Sequence, residues 1–385
     1  MAQIRVQNLR KAFADFVAVQ DSSFTVRDGE FFCLLGPSGC GKTTTLRMIA
    51  GLELPTSGQI FLGDEDVSFK RASHRDIAFV VQLFALYPHM NVRRNIAFPL
   101  LAQGVPRAEI AAKVAEAARI LRIEHLVDKP VSGLSSGDRQ RVALGRAIVR
   151  QPLAFLMDEP LGALDSEFRE LMCQELRALH DRLHATTVYV THDQLEAMAM
   201  ADTIAIMNRG VIEQLGAPQE VYERPASVFV ADFIGAPAMN FLPFDGGYAA
   251  GAEQVRIGDA VLPVPVPALR EDAAGKTLLF GVRPEHVHLT PATPISALRA
   301  EVLGTEYLGT CQVVTCLTAQ GAMVRAKVGV NVPVQRGDAV GLGFDTAQVS
   351  LFDQASGRAL RTARYDSAAP KRAPRATASL GAAHG

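Results

Sequence analysis

The chain has almost no excess charge of either sign: 39 Lys and Arg stand against 40 Asp and Glu, a formal net charge of −1. Such balance gives no general attraction for nucleic acid or an anionic membrane surface, so nucleic acid is not an expected partner. Cysteine is scarce as well. Cys33, Cys40, Cys173, Cys311 and Cys316 are odd in number and scattered, with no CxxC pair, which argues against a disulfide framework or a zinc site. Long hydrophobic runs are also missing. No stretch approaches the roughly 20 apolar residues a membrane-spanning helix needs, and Met1–Arg10 lacks the apolar core of a signal peptide. Neither an internal repeat nor a heptad run is present. The expectation is a soluble chain whose contact with a membrane would pass through a partner.

What is present is enough apolar sequence for a sizeable core, 48% of the chain, in a length of 385 residues that suits two or three domains. Through Gly235, short β-rich runs alternate with longer helical patterns, which predicts an α/β domain over residues 1–235 with a largely parallel sheet. One segment of it differs. Starting after Pro106, Ala108–Leu121 sets Ile110, Val114, Ala117, Ala118 and Leu121 on one helical face, and it reads as a helical insertion within a subdomain of about residues 84–150. Over residues 236–365 the helical patterns stop. Valine-rich runs such as Val302–Val314, Met323–Val328 and Ala339–Phe344, separated by Gly and Pro, predict a small antiparallel β-barrel or sandwich. Residues 366–385 have little to bury and are expected to form a disordered tail.

The first motif is a buried-strand pattern, Phe31–Leu35, followed by Gly36-Pro37-Ser38-Gly39-Cys40-Gly41-Lys42-Thr43 and a helix from Thr44. Strand, GxxxxGK[ST] and helix in that order form a phosphate-binding loop. Its glycines let backbone N–H groups turn in around a β-phosphate, and the helix N-terminus adds a favourable dipole. Lys42 brings positive charge to the β- and γ-phosphates, and the Thr43 hydroxyl can ligate Mg²⁺. Nucleotide binding therefore leads, with ATP and Mg²⁺ the expected cofactors. Cys40, inside the loop, predicts that bulky thiol reagents block the site and that ATP protects it.

A second apolar strand, Ala154–Asp158, ends in two acids. Asp158 is placed to hold Mg²⁺ through water, and Glu159 to polarise the attacking water as a general base. Between these motifs lies Leu134-Ser135-Ser136-Gly137-Asp138, continued by Arg139-Gln140-Arg141-Val142-Ala143-Leu144. This stretch resembles the signature motif of ABC ATPases, usually LSGGQ. The Ser135 hydroxyl, with Ser136 and the Gly137 backbone at a helix start, suits contact with a γ-phosphate. In that family the phosphate belongs to the opposite subunit, so the resemblance implies two ATPs sandwiched in a head-to-tail dimer. It also implies roles for residues that match other family elements. Gln82 corresponds to a glutamine that senses Mg²⁺ and the γ-phosphate, Asp165 to the D-loop, and His192 to the switch histidine. Phe13 stands where an aromatic ring stacks on adenine, with Phe16 a neighbouring candidate.

The second half narrows the resemblance. Gly281-Val282-Arg283-Pro284-Glu285-His286-Val287 is similar to a run in the C-terminal domain of maltose-type importer ATPases, and Tyr222–Pro225, Phe229–Gly235 and Met239–Phe241 resemble the segment that joins the two domains there. The resemblance implies a P-loop NTPase core with a helical insertion, followed by an OB-like TOBE domain. It further implies an ATPase that drives a carbohydrate or polyol importer from the cytoplasmic face of the cell membrane. Its partners would be integral-membrane permease subunits, a second ATPase subunit (a second copy of this chain ahead of a different one) and, indirectly, an extracytoplasmic solute-binding protein. Importers of iron, polyamine or phosphonate, and soluble ABC ATPases, are the alternatives. Three departures stand out: Ser136 and Asp138 replace the usual glycine and glutamine, and Val81 replaces the usual aromatic before Gln82.

Overall fold

A computed structural model describes residues 2–80, 85–150, 152–162, 164, 166–244, 254–257, 260–263, 273, 275–291 and 297–365. Gln82, Asp165 and the expected tail at 366–385 lie outside the described residues. By compactness the chain divides into two units, Met1–Val221 and Tyr222–Gly385.

In the first unit the described elements run in this order. β1 (Ile4–Phe13), β2 (Phe16–Val26), β3 (Phe31–Leu35), α1 (Lys42–Ala50), β4 (Ser57–Leu62), β5 (Glu65–Asp66) and β6 (Ile77–Val80) come first. α2 (Val92–Ala102), α3 (Arg107–Ile120) and α4 (Ser136–Ile148) follow. β7 (Ala154–Asp158), α5 (Ser166–Leu183), β8 (Thr187–Thr191), α6 (Gln194–Met200), β9 (Thr203–Asn208) and β10 (Val211–Gly216) complete it. One sheet is antiparallel, in the order β2-β1-β4-β5. The other has the order β10-β9-β3-β8-β7-β6 and is parallel except for β10.

The sequence explains this division. Strands paired on both sides with both faces covered read as unbroken apolar runs, and all five residues of β3 (FFCLL) and of β8 (TVYVT) are buried. Phe24 of β2 stacks on Phe32 of β3, ring centroids 5.1 Å apart, so the two sheets share one core. α3 buries Ile110, Val114, Ala117 and Ala118, and Leu121 beyond it, which is the face its periodicity predicts.

The second unit begins ahead of the compositional change at Ala236 because a buried side chain gathers the preceding segment. Arg283, 1% exposed, lies over the Tyr222 ring at 4.1 Å and donates to the carbonyls of Tyr222 and Ala231 at 2.8 and 3.1 Å and to that of Ile234. Those last two carbonyls end the short helix Val228–Phe233, where the helix itself offers them no donor. Five antiparallel strands then form a sheet in the order Val287–Pro291, Ala339–Phe344, Leu298–Tyr307, Gln312–Thr318, Met323–Val328. The two edge strands come within 8 Å (Cα–Cα), so the sheet curls on itself as expected of a small barrel. The run Val302–Val314 is not one strand. It breaks into a hairpin at Leu308–Cys311, where Gly309 takes a φ of 82° and the Leu308 N–H donates to the Cys311 carbonyl at 2.9 Å.

Candidate functional site

The catalytic candidates sit at the C-terminal ends of neighbouring parallel strands. In the sheet register Leu35 of β3 pairs with Thr191 of β8, and Val190 of β8 with Asp158 of β7. Each strand therefore delivers its following loop to the same edge: the phosphate loop from β3, Glu159 from β7 and His192 from β8. Ligands in open α/β sheets bind at that edge.

The phosphate loop is built around backbone that only glycine allows. Gly39 and Gly41 have φ of 79° and 107°, and a Cβ on Gly41 would stand 2.4 Å from the Ala18 carbonyl oxygen. At Gly36 it would stand 2.2 Å from that of Met207. The loop is thus wedged between β2 and β9. Lys42 is buried, and its ammonium donates to the Gly36 and Pro37 carbonyls at 2.8 and 3.0 Å, which centres its charge inside the loop. Ser38, Gly39 and Thr43 face solvent, with Pro37 and Thr44 part-exposed. Cys40 is 3% exposed, and burial pushes its thiol pKa up. A bulky thiol reagent expected to block the site therefore meets a thiol tucked under the loop rather than on it.

The Thr43 hydroxyl donates to Asp158 Oδ1 at 2.9 Å, across the mouth of the loop. Burial, and then the neighbouring Glu159 carboxylate, raise the Asp158 pKa, although the Thr43 hydrogen bond works the other way. A partly buried carboxylate beside a hydroxyl offers the hard oxygen donors that Mg²⁺ takes. Among the described residues no cluster of three His, Cys, Asp or Glu side chains is arranged for a metal. Such an ion would draw its remaining ligands from phosphate and water.

Glu159 occupies left-handed backbone, φ 44°, a conformation costly for a non-glycine residue and common where a side chain must be aimed. Its N–H is fixed on the Val190 carbonyl at 3.0 Å, and its Oε1 lies 3.2 Å from His192 Nδ1. Acid and imidazole thus face each other at the open end of the sheet.

Several positioning residues were invisible in the motifs. Glu196, 4% exposed, accepts the hydroxyls of Tyr189 and Thr191 at 2.8 and 2.7 Å, which braces the end of β8 just before His192. Asp193 caps α6 and pairs with Arg169 at 3.0 Å, and Arg169 also donates to the Leu164 carbonyl at 2.9 Å. The loop after β7 and the loop after β8 are joined in this way. Arg75, 1% exposed, donates to the carbonyls of Met48 and Ile49 at 2.6 and 2.9 Å, closing the end of α1, and to those of Ser68 and Lys70. Buried Asn95 fixes the segment after Gln82 through the Tyr87 N–H at 2.9 Å and the Tyr87 and Asn91 carbonyls, each at 3.1 Å.

The remaining candidates stand apart. Phe13 and Phe16 face each other at the tip of the β1–β2 hairpin, 43% and 60% exposed, with Lys11 Nζ 4.7 Å from the Phe13 ring. Ala18, two residues beyond Phe16, touches Gly41, so the hairpin rises beside the phosphate loop. Ser135, Ser136 and Gly137 open α4. Among the described residues no hydrogen bond joins them to the phosphate loop of their own chain.

The comparisons agree with this geometry. Residues 19–162 match the family model for ABC transporters, 235–287 that for a MalK OB fold domain and 280–352 that for a TOBE domain. The trehalose/maltose import ATP-binding protein MalK of Thermococcus litoralis is 46% identical over 376 residues, covering 94% of this chain and 100% of that one. The sn-glycerol-3-phosphate import ATP-binding protein UgpC of Cereibacter sphaeroides is 42% identical, covering 94% and 100%. The trehalose import ATP-binding protein SugC of Mycobacterium tuberculosis is 44% identical, covering 93% and 98%. Among solved structures, cbiO1 of Clostridium perfringens, part of the ABC transporter complex cbiONQ, matches with TM-score 0.54 and 28% identity, over 57% of this chain and 89% of that one.

Proposed function

The chain belongs to the family of ABC importer ATP-binding proteins, which are ATPases, and from that premise we propose that it powers import of a carbohydrate or polyol through a membrane permease. Two copies would close head to tail over two ATPs on the cytoplasmic face of the membrane. The observation carrying this reading is the convergence of Lys42, the Thr43–Asp158 pair and the Glu159–His192 pair at adjoining strand ends.

In this mechanism the loop N–H groups and Lys42 hold the β- and γ-phosphates. Thr43 and Asp158, with Gln82, would hold Mg²⁺, which when bound neutralises phosphate charge. Glu159 accepts a proton from the attacking water and His192 holds Glu159 in place. Ser135, Ser136 and Gly137 of the facing subunit complete the site, with Asp165 beside it, and Phe13 stacks on the adenine. The helical subdomain moves with closure and carries the permease with it, while the solute is recognised by the permease and an extracytoplasmic binding protein. The names of the relatives, which import trehalose, maltose and sn-glycerol-3-phosphate, support a carbohydrate or polyol as cargo.

Affinity purification of the tagged chain from solubilised native membranes, followed by mass spectrometry, tests the reading. Two multi-span permease chains and no second ATPase are expected. Recovery without any membrane protein would overturn the transport role, and a second ATPase chain would overturn the pairing of two copies.

A further inference from the structure

The segment Leu134–Asp138 carries a carboxylate where the family usually has glutamine, and that carboxylate is bound to the signature serine. Ser135 caps α4: its Oγ accepts the Asp138 N–H at 3.1 Å and donates to Asp138 Oδ2 at 2.8 Å. Asp138 Oδ1 accepts from Arg141 at 3.2 Å, and the same guanidinium forks onto both oxygens of Glu175 at 3.1 Å. One guanidinium therefore serves two carboxylates, and the cluster keeps a net negative charge. A hydroxyl has a single proton to donate. While Ser135 gives it to Asp138, it has none for a phosphate oxygen, and the carboxylate beside it repels an arriving phosphate.

We propose that Asp138 is a positioning residue that sets the ATP concentration at which two subunits close, by holding the Ser135 hydroxyl away from the γ-phosphate bound by the facing subunit. The inference rests on the head-to-tail reading above. Closure requires the Ser135 O–H to turn from Asp138 Oδ2 to the phosphate, and only hydrogen bonds change. Ser135 is exposed and free to make that turn, whereas Asp138 is held in place by Arg141. The chain is thereby tuned to close at a higher ATP concentration than its glutamine-bearing relatives.

The test is the fraction of dimer, followed by analytical ultracentrifugation during titration with Mg·ATP, in the full chain carrying Glu159→Gln to slow hydrolysis. Adding Asp138→Gln is expected to lower the midpoint about tenfold, the scale of a hydrogen bond to a charged group. With Ser135→Ala also present, Asp138→Gln should shift the midpoint by much less, because only the relief of the carboxylate's repulsion then remains. The melting temperature of the Asp138→Gln chain should fall, because α4 loses a carboxylate from its first turn. Easier closure by a less stable chain is a combination that simple destabilisation does not produce. An unchanged or raised midpoint overturns the proposal, as does a full shift that survives Ser135→Ala. Absence of an ATP-driven dimer in every variant, including Glu159→Gln alone, overturns the head-to-tail reading and the proposal with it.

Discussion

His180 lies in the core with its ring edge against Phe31 and its Nδ1 3.1 Å from the Thr187 hydroxyl. Burial, helped by the charge of Arg177, pushes its pKa down to about 4 from 6.5. The unfolded chain takes up a proton below about 6.5, whereas the folded chain stays neutral until about 4. Stability is therefore full above pH 6.5 and is lost as pH falls towards 4, at up to about 1.4 kcal/mol per pH unit. His180→Gln should flatten the pH dependence of the unfolding free energy across that window. Parallel curves for the two proteins would contradict the assignment. The cysteines give a second expectation at this scale. Cys33, Cys40, Cys173 and Cys316 are buried and Cys311 is part-exposed. Burial raises the Cys40 thiol, takes Cys173 to about 12 and takes Cys316 to about 11. A thiol reagent at neutral pH should label Cys311 first, and mass spectrometry should find Cys40 modified only after unfolding. Rapid labelling of Cys40 in the native chain would place its thiol on the loop surface.

At the scale of elements, the phosphate loop is only as fixed as the helix it starts. α1 is nine residues long, and Arg75 supplies donors to the Met48 and Ile49 carbonyls at its end. Gly51, φ 73°, leaves room for that guanidinium, since a Cβ there would stand 2.5 Å from Arg75 Nε. Arg75→Ala removes three buried hydrogen bonds, to the Met48, Ile49 and Ser68 carbonyls, and one part-buried bond to Lys70, and should lower the unfolding free energy by roughly 3 kcal/mol, read by denaturant titration. Arg75→Lys should recover only part of that, because an ammonium cannot fork across carbonyls spread around a planar group. Equal stability of Arg75→Ala and the parent chain would show that α1 needs no such closure. The end of β8 depends in the same way on one buried side chain of α6. Glu196→Leu leaves the Tyr189 and Thr191 hydroxyls without their acceptor, so ATP turnover should fall through a displaced His192 while nucleotide affinity holds. A drop confined to affinity would place Glu196 elsewhere in the mechanism.

For the whole molecule, what could be read in the sequence was what lies contiguous in it. The phosphate loop, the Asp158–Glu159 pair and the turn carrying His192 are short runs directly after buried strands, so their chemistry and spacing are visible together. The face of α3 was equally plain, because helical periodicity is local. Arg75 and Glu196 were not legible. Each is one charged residue whose importance comes from burial against partners that only the fold assembles. Val302–Val314 misled because alternation continues through a two-strand hairpin whose turn is marked by the single glycine Gly309. The Gly281–Val287 run resembles a family motif but does not itself reveal what its residues bind. The structure shows Arg283 binding the end of a helix that precedes it by some fifty residues.

The central claim is that the pair at the end of β7 and β8 performs hydrolysis on a nucleotide held by the phosphate loop. Steady-state ATP hydrolysis by the purified chain with Mg²⁺, set against Glu159→Gln, tests it most directly. Loss of a general base should cut turnover by about 10²–10³-fold, with ATP binding by equilibrium dialysis unchanged. Turnover by Glu159→Gln at the parent rate would contradict the account.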